Sequence, residues 1–347
     1  MTRSAGMIAK TLRSPNNYRE WRVNRGLYIT AWIVLVLPMV WTIGQAIHVQ
    51  LMIGGQWLHL QIQSYVGPAP EVLHFNMIVA GLLGVLTFWH DRTRGYLSIA
   101  LEGPVSRRAI WQSKIVYAFL TLASANLATL LMIGITSLFA GMGGCMGAII
   151  LRTLYLLSLQ TGLAMTALAI GALMESVILA GLGTASVSVV PLVLGSICHN
   201  LPFNEGDIAR WSEVVGGFFF FLGPFNYAYP TVLWQEGIFS LLAFAWALLS
   251  CRYGLRWWEK ARLERYSELF VFPWVWKVFY GFLGIISALV VTTIIAVPVH
   301  FQSSLFLICL IPLSVLGWFA WRTVWAGLSQ RGFPWAPERH DVESRVP

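Results

Sequence analysis

Charged side chains are scarce in this sequence. Of its 347 residues, 11% are Asp, Glu, Lys or Arg, whereas 57% are hydrophobic. The mean hydropathy is +0.68. Soluble globular proteins have about 25% charged residues. The composition therefore excludes an ordinary soluble class and predicts an all-α polytopic membrane protein.

Lysine is rare, and its positions exclude a large class of enzymes. The only lysines are Lys10, Lys114, Lys260 and Lys277, and none of them follows a glycine. A Walker A loop needs Gly-Lys-Ser/Thr, because its backbone cradles phosphate while the lysine reaches the β- and γ-phosphates. The chain by itself is therefore not a P-loop ATPase.

Other chemical motifs are also missing. The cysteines Cys145, Cys198, Cys251 and Cys309 are widely spaced, so they indicate neither a zinc site nor a disulfide framework. The sequence has no H-E-x-x-H helix and no G-x-S-x-G elbow, and its histidines do not cluster at ligand spacing. We therefore predict no catalytic, cofactor or metal site. The N-terminus also lacks the pattern of a removable signal peptide.

Long apolar runs are abundant. A helix of roughly 20 residues crosses a hydrocarbon core about 30 Å thick, and eight stretches are long enough. The predicted spans are residues 27–47, 72–90, 115–139, 150–172, 176–197, 232–251, 273–297 and 304–324. Residues 48–71, which contain glycine and proline breakers and no Lys or Arg, are predicted to form an outer loop.

The basic residues predict the orientation. If alternate connections are cytoplasmic, all Lys and Arg residues except Arg152 and Arg210 fall on one side. Basic loops stay in the cytoplasm, so both termini are predicted to be cytoplasmic. The +8 formal charge is thus a topology signal and does not indicate a nucleic-acid partner.

The remaining segments complete the predicted organisation. Residues 1–26 form a cytoplasmic N-terminus with an interfacial helix that starts after Ser14. Residues 198–231 are rich in aromatics and are predicted to lie at the outer interface. A charged cytoplasmic helix covers 255–272, and a cytoplasmic tail covers 325–347.

Three charged residues are candidates for positions within membrane depth: Arg152, Glu175 and Glu236. Glu175 lies in the tight turn between the fourth and fifth predicted spans, where it is predicted to be a charge at the cytoplasmic boundary. Arg152 and Glu236 both lie near the outer ends of their spans. An unpaired charge in hydrocarbon costs several kcal/mol, so such residues pair, face a water-filled cavity or snorkel to the interface. These alternatives stay open from the sequence.

The most informative stretch is residues 91–114, DRTRGYLSIALEGPVSRRAIWQSK, which we call the island. It is basic and polar between two apolar runs, yet it contains enough Leu, Ile and Val for short amphipathic helices. Pro104 ends one helix, and Ser106 can cap the next. The island is either a plain cytoplasmic loop that obeys the positive-inside rule or a docking surface for a soluble partner.

The spacing within the island resembles the signature loop of ABC-2-type transporter permeases. In that family an acidic residue closes the second span, a glycine and a Leu-rich helix follow, and Pro-x-Ser-Arg leads to a lysine that opens the third span. The matching elements are Asp91, Gly95, Leu97 to Leu101, Pro104-Val105-Ser106-Arg107 and Lys114. The family loop usually carries Thr where Tyr96 stands, and Glu102 interrupts the apolar end of the helix.

The resemblance implies a coupling helix that sits in a groove of a separate ATPase subunit. The implied coupling residues are Asp91, Arg92, Arg94, Gly95, Leu97, Glu102, Pro104, Ser106, Arg107, Arg108 and Lys114. The implied architecture is a six-span core over 27–254, with two further spans in 273–324. The eight-span form and the run Arg262, Glu264, Arg265, Glu268 look like Ytr-type permeases of Gram-positive bacteria.

The implied function is that of an ABC transporter permease in a bacterial plasma membrane. Two ATPase chains would hold ATP and Mg, and a second permease, identical or related, would complete the path. Export of a hydrophobic or amphipathic substrate is the favoured expectation. Two alternatives remain: a polytopic membrane enzyme, which would need an intramembrane polar cluster such as Arg152 with Glu236, and a non-transporting sensor or scaffold subunit.

Overall fold

In the computed structural model, the described part of the chain is almost entirely helical. The described residues are 15–53, 56–66, 72–93, 105–174, 176–185, 187, 233–260, 281, 284–285, 287–288, 291 and 312–323. The helices with defined bounds are α1 (Pro15–Ile53), α2 (Trp57–Val66), α3 (Val72–Thr93), α4 (Arg107–Phe139), α5 (Met146–Leu173) and α6 (Leu233–Lys260).

Helices α1, α4 and α6, and α5 together with the 3₁₀ turn Gly143–Cys145 that precedes it, provide segments long and apolar enough to cross a membrane. These segments are Asn17–Met52, Arg107–Phe139, Gly143–Leu173 and Glu236–Lys260. They overlap the predicted first, third, fourth and sixth spans, and they indicate a membrane protein. The predicted second span corresponds to helix α3, which is not among these four candidates. The last turn of α3 contains His90, Asp91 and Arg92.

The other predicted segments fall largely outside the described residues. Parts of the fifth and eighth spans are helical, over 177–185 and 312–323. The outer segment 198–231, the tail 325–347 and residues 261–272 of the charged helix lie outside, whereas 255–260 continue α6. Eight spans and cytoplasmic termini therefore stay predictions.

The N-terminal helix corrects one expectation. A separate interfacial helix before the first span is wrong, because α1 runs without a break from Pro15 to Ile53 over 39 residues. At about 1.5 Å per residue it is about 58 Å long, well beyond a hydrocarbon core of about 30 Å. The reason is that one buried face, with Asn17, Glu20 and Asn24, continues through the supposed boundary.

The predicted outer loop 48–71 also differs from expectation. Helix α1 occupies its start, and α2 forms within it. Ile62 and Tyr65 of α2 are buried and belong to the same apolar cluster as Met39 of α1 and Ile133 of α4. Burial of these side chains explains a helix where composition favoured a loop.

The chain divides into two compact units. The first comprises residues 1–172 and 223–260, and the second comprises 173–222 and 261–347. In the first unit, α5 is the central helix: 89% of its most apolar window is buried, against 28% for α1 and 17% for α6. Helices α1, α3, α4 and α6 contribute to two apolar clusters around it.

In the second unit, residues from the seventh and eighth predicted spans contact each other. The indole Nε1 of Trp321 donates a hydrogen bond to Ser287 Oγ at 2.8 Å. A Cβ on Gly284 would lie 2.7 Å from Ser314 O and from Trp318 N. The backbones of the two segments are therefore in direct contact.

Close backbone contact also joins α3 to α5. A Cβ on Gly84 would collide with the carbonyl oxygen of Ala164 and would lie 2.9 Å from Leu168 N. A Cβ on Gly171 would lie 3.3 Å from the backbone of Val85. Small residues let membrane helices approach closely enough for extensive van der Waals contact.

We expect Gly84→Ala to destabilise the protein by about 1 to 3 kcal/mol, because overpacking against the α5 backbone forces the helices apart. The melting temperature of the full chain in detergent measures the effect. Gly44→Ala is the matched control, since nothing lies within 4 Å of its Cβ position. Equal melting temperatures for the two variants would show that α3 and α5 are not in backbone contact.

Candidate functional site

A buried ion cluster joins the ends of α1, α3 and α4. We call it the lysine cluster, and it comprises Glu20, Asn24 and Tyr28 of α1, Asp91 of α3 and Lys114 of α4. Two of its members, Asp91 and Lys114, are the first and last residues of the island. The island is therefore closed at its base by a direct contact between its ends.

Local sequence places Lys114 at this point. Ser106 is the N-cap of α4, with extended backbone at φ −67° and ψ 142°, and its Oγ accepts a hydrogen bond from Ala109 N at 3.3 Å. The predicted capping role of Ser106 is thus confirmed. Helix α4 begins at Arg107, so Lys114 lies two turns inside a continuous helix and does not open it.

The ammonium of Lys114 is fully buried. Its Nζ lies 2.6 Å from Asp91 Oδ2 and 3.3 Å from Glu20 Oε2, and it donates to the carbonyl oxygen of Thr87 at 3.0 Å. Nζ also lies 5.0 Å from the centre of the Phe88 ring. Since an ammonium has three donors and no acceptor, these oxygen partners satisfy it.

The cluster holds two carboxylates for one ammonium, and neutral groups stabilise the excess negative charge. Asn24 Nδ2 donates to Glu20 Oε1 and to Asp91 Oδ1, both at 2.9 Å. The Tyr28 hydroxyl donates to Glu20 Oε1 at 2.7 Å. Hydrogen bonds to an ionised acceptor are about twice as strong as neutral ones. Asn24 thereby bridges two like charges that would otherwise repel.

Two island arginines extend the contacts to the other helices of the unit. Arg107 Nη1 donates to the carbonyl oxygens of Trp258 and Glu259, both at 3.2 Å, and Trp258 Nε1 donates back to Arg107 O at 3.2 Å. Arg92 Nη2 donates to Ala172 O, near the end of α5, at 2.7 Å. Cations are favoured at helix C-termini, where carbonyl groups lack intrahelical partners.

The structure thus locates the ends of the island and not its middle. Asp91 and Lys114 are in the lysine cluster, Arg92 and Arg107 bind carbonyl groups, and Arg108 is exposed. The remaining predicted coupling residues lie outside the described part of the chain; they are Arg94, Gly95, Leu97, Glu102 and Pro104.

Sequence reasoning missed Glu20, Asn24 and Tyr28. Glu20 lies in the segment that the sequence predicts as an interfacial helix. The available signal was their spacing of four residues, which places three hydrogen-bonding side chains on one face of a helix. That face would have stood out if α1 had been recognised as continuous.

A second buried ion pair lies between α5 and α6. Arg152 Nη1 is 2.7 Å from Glu236 Oε1, and the two side chains are 1% and 6% exposed. Of the alternatives open from the sequence, pairing is confirmed, and snorkelling is wrong because neither group reaches the surface of the unit. The Tyr155 ring centre lies 5.6 Å from the guanidinium carbon.

A neighbouring hydroxyl pair links α2 to α5. The Tyr65 hydroxyl and Thr153 Oγ1 are 3.0 Å apart. Burial raises the pKa of Tyr65 to about 12, so the phenol stays protonated at neutral pH. Within the described residues, Glu236 Oε2 and the Tyr155 hydroxyl are buried without a hydrogen-bond partner. The Arg152–Glu236 pair is therefore part of a larger buried polar cluster with Tyr65, Thr153 and Tyr155.

Neither cluster has the composition of a metal centre. In the ranges that the structure covers, no three His, Cys, Asp or Glu side chains lie close enough together to hold an ion.

Comparisons with known proteins found no matching family model, no similar curated protein and no similar solved structure. The island and the two buried ion clusters are therefore the features that bear on function.

We expect Lys114→Met to destabilise the protein by about 3 to 5 kcal/mol, because it leaves two buried carboxylates without their cation. Thermal melting of the full chain in detergent measures the loss. The triple variant Glu20→Gln, Asp91→Asn, Lys114→Met removes all three charges and should recover most of the stability. A Lys114→Met protein with the same melting temperature as the wild type would contradict the buried arrangement.

For the second pair, we expect Arg152→Met to cost about 3 to 5 kcal/mol, because the Glu236 carboxylate then lacks its partner. Combining it with Glu236→Gln should restore most of the loss. A double-mutant cycle on melting temperatures gives the coupling between the two residues. Strictly additive effects would mean that the side chains do not interact.

Proposed function

We propose that the chain is the permease subunit of an ABC transporter, driven by separate ATPase subunits at the island. The observation that carries the proposal is that the ends of the island are fixed to three helices through the lysine cluster. The resemblance of the island to the ABC-2 loop indicates that the partner is an ATPase subunit. The contacts at the ends of the island would carry a force from that partner to the helices.

The lysine cluster provides a mechanical link between the island and the helices. Asp91 and Lys114 are held 2.6 Å apart in a buried pair, so the loop between them is anchored at its base. Charges buried away from water are screened weakly and are strongly penalised when separated. A push on the loop would therefore displace the ends of α3 and α4 together, and Glu20 would draw α1 along.

Helix α4 is long enough to connect the island with the other side of the membrane. Helix α4 has 33 residues, so at about 1.5 Å each it extends about 50 Å, enough to cross a bilayer. Arg107 also connects the island to the end of α6, and Arg92 connects it to α5. A partner at the island would thus act on every membrane-crossing candidate of the first unit.

The charged side chains of the island indicate the kind of partner. Arg108 is exposed at the start of α4, and the sequence adds Arg94 and Glu102 in the loop. Exposed arginines offer charge-assisted, bidentate bonds to an acidic groove. Because the chain has no Walker A loop, ATP and Mg would be bound by the partner, as two ATPase chains serving two permeases.

In this proposal the complex works in a bacterial plasma membrane and exports a hydrophobic or amphipathic substrate. A second permease would complete the translocation path, and the closing of the ATPases on nucleotide would supply a rigid-body movement. A sensor or scaffold subunit would keep the same island without transport.

One observation favours a second candidate, a polytopic membrane enzyme. The buried Arg152–Glu236 pair, with Tyr155 beside it, is the kind of intramembrane polar cluster that such an enzyme needs. Ionisable groups within the membrane commonly mark functional sites. ATP turnover in liposomes with and without the chain separates the three functions: transport requires substrate-stimulated hydrolysis, and an enzyme requires product without nucleotide.

We expect Arg108→Glu to reduce the ATPase that co-purifies with the tagged full-length chain about tenfold, since one charge-assisted contact is worth about 1.5 to 3 kcal/mol. Mg-dependent ATP hydrolysis in the purified sample is the measurement. Arg252→Glu, at an exposed position on α6, is the matched control and should retain wild-type levels. Docking at the island would be refuted if the purified wild-type chain showed no ATP hydrolysis. It would also be refuted if both variants lost the same fraction of ATP hydrolysis.

A further inference from the structure

A groove of about 500 Å³ lies between α1 and α3, outside both ion clusters. Its walls include Arg22, Arg25 and Leu27 from α1, and Leu86, Trp89 and His90 from α3. All of these residues belong to the first unit. The groove is at the ends of the predicted first and second spans, where the predicted topology places the boundary between membrane and cytoplasm.

One end of the groove is cationic. Arg22 and Arg25 are exposed and stand three residues apart on α1, so their side chains are neighbours on the helix surface. Within the described residues, neither guanidinium forms a hydrogen bond or an ion pair. The groove lining contains no acidic residue, and the nearby carboxylates Glu20 and Asp91 bind Lys114. The cationic end is therefore open to an anion.

The rest of the groove is apolar. Leu27, Leu86 and the partly exposed ring of Trp89 continue the walls in the direction of the membrane spans. Gly26 leaves the α1 wall bare, since nothing lies within 4 Å of its Cβ position. Tryptophan is enriched at the headgroup level of membranes. A water-soluble anion would match the arginines and leave these walls exposed.

We propose that this groove binds an anionic phospholipid of the cytoplasmic leaflet. The headgroup phosphate binds Arg22 and Arg25, and an acyl chain lies along Leu27, Leu86 and Trp89. Basic pockets between membrane helices on the cytoplasmic side suit anionic headgroups. The site does not depend on the permease function, because it uses none of the island's partner-facing residues.

The lipid would also support the lysine cluster. Asn24 of α1 and Asp91 of α3 meet at 2.9 Å, close in sequence to the groove residues of the same two helices. A ligand that spans both helices stabilises the arrangement in which they are adjacent. Bound lipid should therefore raise the melting temperature of the full chain.

The test uses native mass spectrometry and melting of the full-length protein with phosphatidylglycerol or phosphatidylcholine. We expect preferential retention of phosphatidylglycerol and a higher melting temperature. Arg22→Gln with Arg25→Gln should weaken that retention about thirtyfold, since each basic residue near an anionic lipid surface contributes about 1 kcal/mol. Arg252→Gln with Arg256→Gln is the matched control, because both arginines are exposed on α6 one turn apart.

A charge-preserving variant makes the test independent of the arginines. Gly26→Leu adds an apolar side chain at a position where a Cβ has nothing within 4 Å, and it should reduce phosphatidylglycerol retention while both arginines remain. Equal retention of the two lipids by wild type, equal losses in the α6 control, or unchanged retention in Gly26→Leu would each overturn the proposal. Equally tight binding of glycerol phosphate alone would identify a soluble anion in place of a lipid.

Discussion

A buried charge has to keep its partner, and this constraint determines the arrangement of the first unit. Lys114 is fully enclosed, so its ammonium is stable only while Asp91 and Glu20 stay within contact. The effective desolvation penalty is several kcal/mol for each ion, which is comparable with the net stability of a typical domain. The cluster therefore specifies which helix ends meet, beyond any contribution that it makes to stability.

Much of the helical architecture could be predicted from the sequence, because apolar runs of membrane length have few alternative structures. The cap at Ser106 and the pairing of Arg152 with Glu236 were also within reach, since each follows from a local rule or from the cost of an unpaired charge. The predictions failed where tertiary burial overrides composition. Burial of Ile62 and Tyr65 stabilises a helix where a loop was expected. Glu20 is buried in the core although it lies in a segment that was expected at the membrane surface.

The contacts of the island could also be predicted only in part. Its ends are fixed by oppositely charged partners, and the acid at 91 and the lysine at 114 can be read from the sequence as a spaced pair. The third member, Glu20, lies 94 residues from Lys114 along the chain, and no local pattern indicates such a contact. Residues that are distant in sequence and joined only by packing are the ones that a single sequence cannot reveal.

The backbone contact between α3 and α5 has a consequence for motion. At Gly84 and Gly171 the two helices meet largely backbone to backbone, and the methyl group of Ala167 is the side chain nearest to Gly84. Packed helices normally slide by small amounts because the side chains between them change rotamer. Between α3 and α5, side chains that could do this are missing over about two turns of α5. The two helices are consequently expected to move as one rigid body, so hinges and shear belong to the side-chain-filled contacts of α1, α4 and α6.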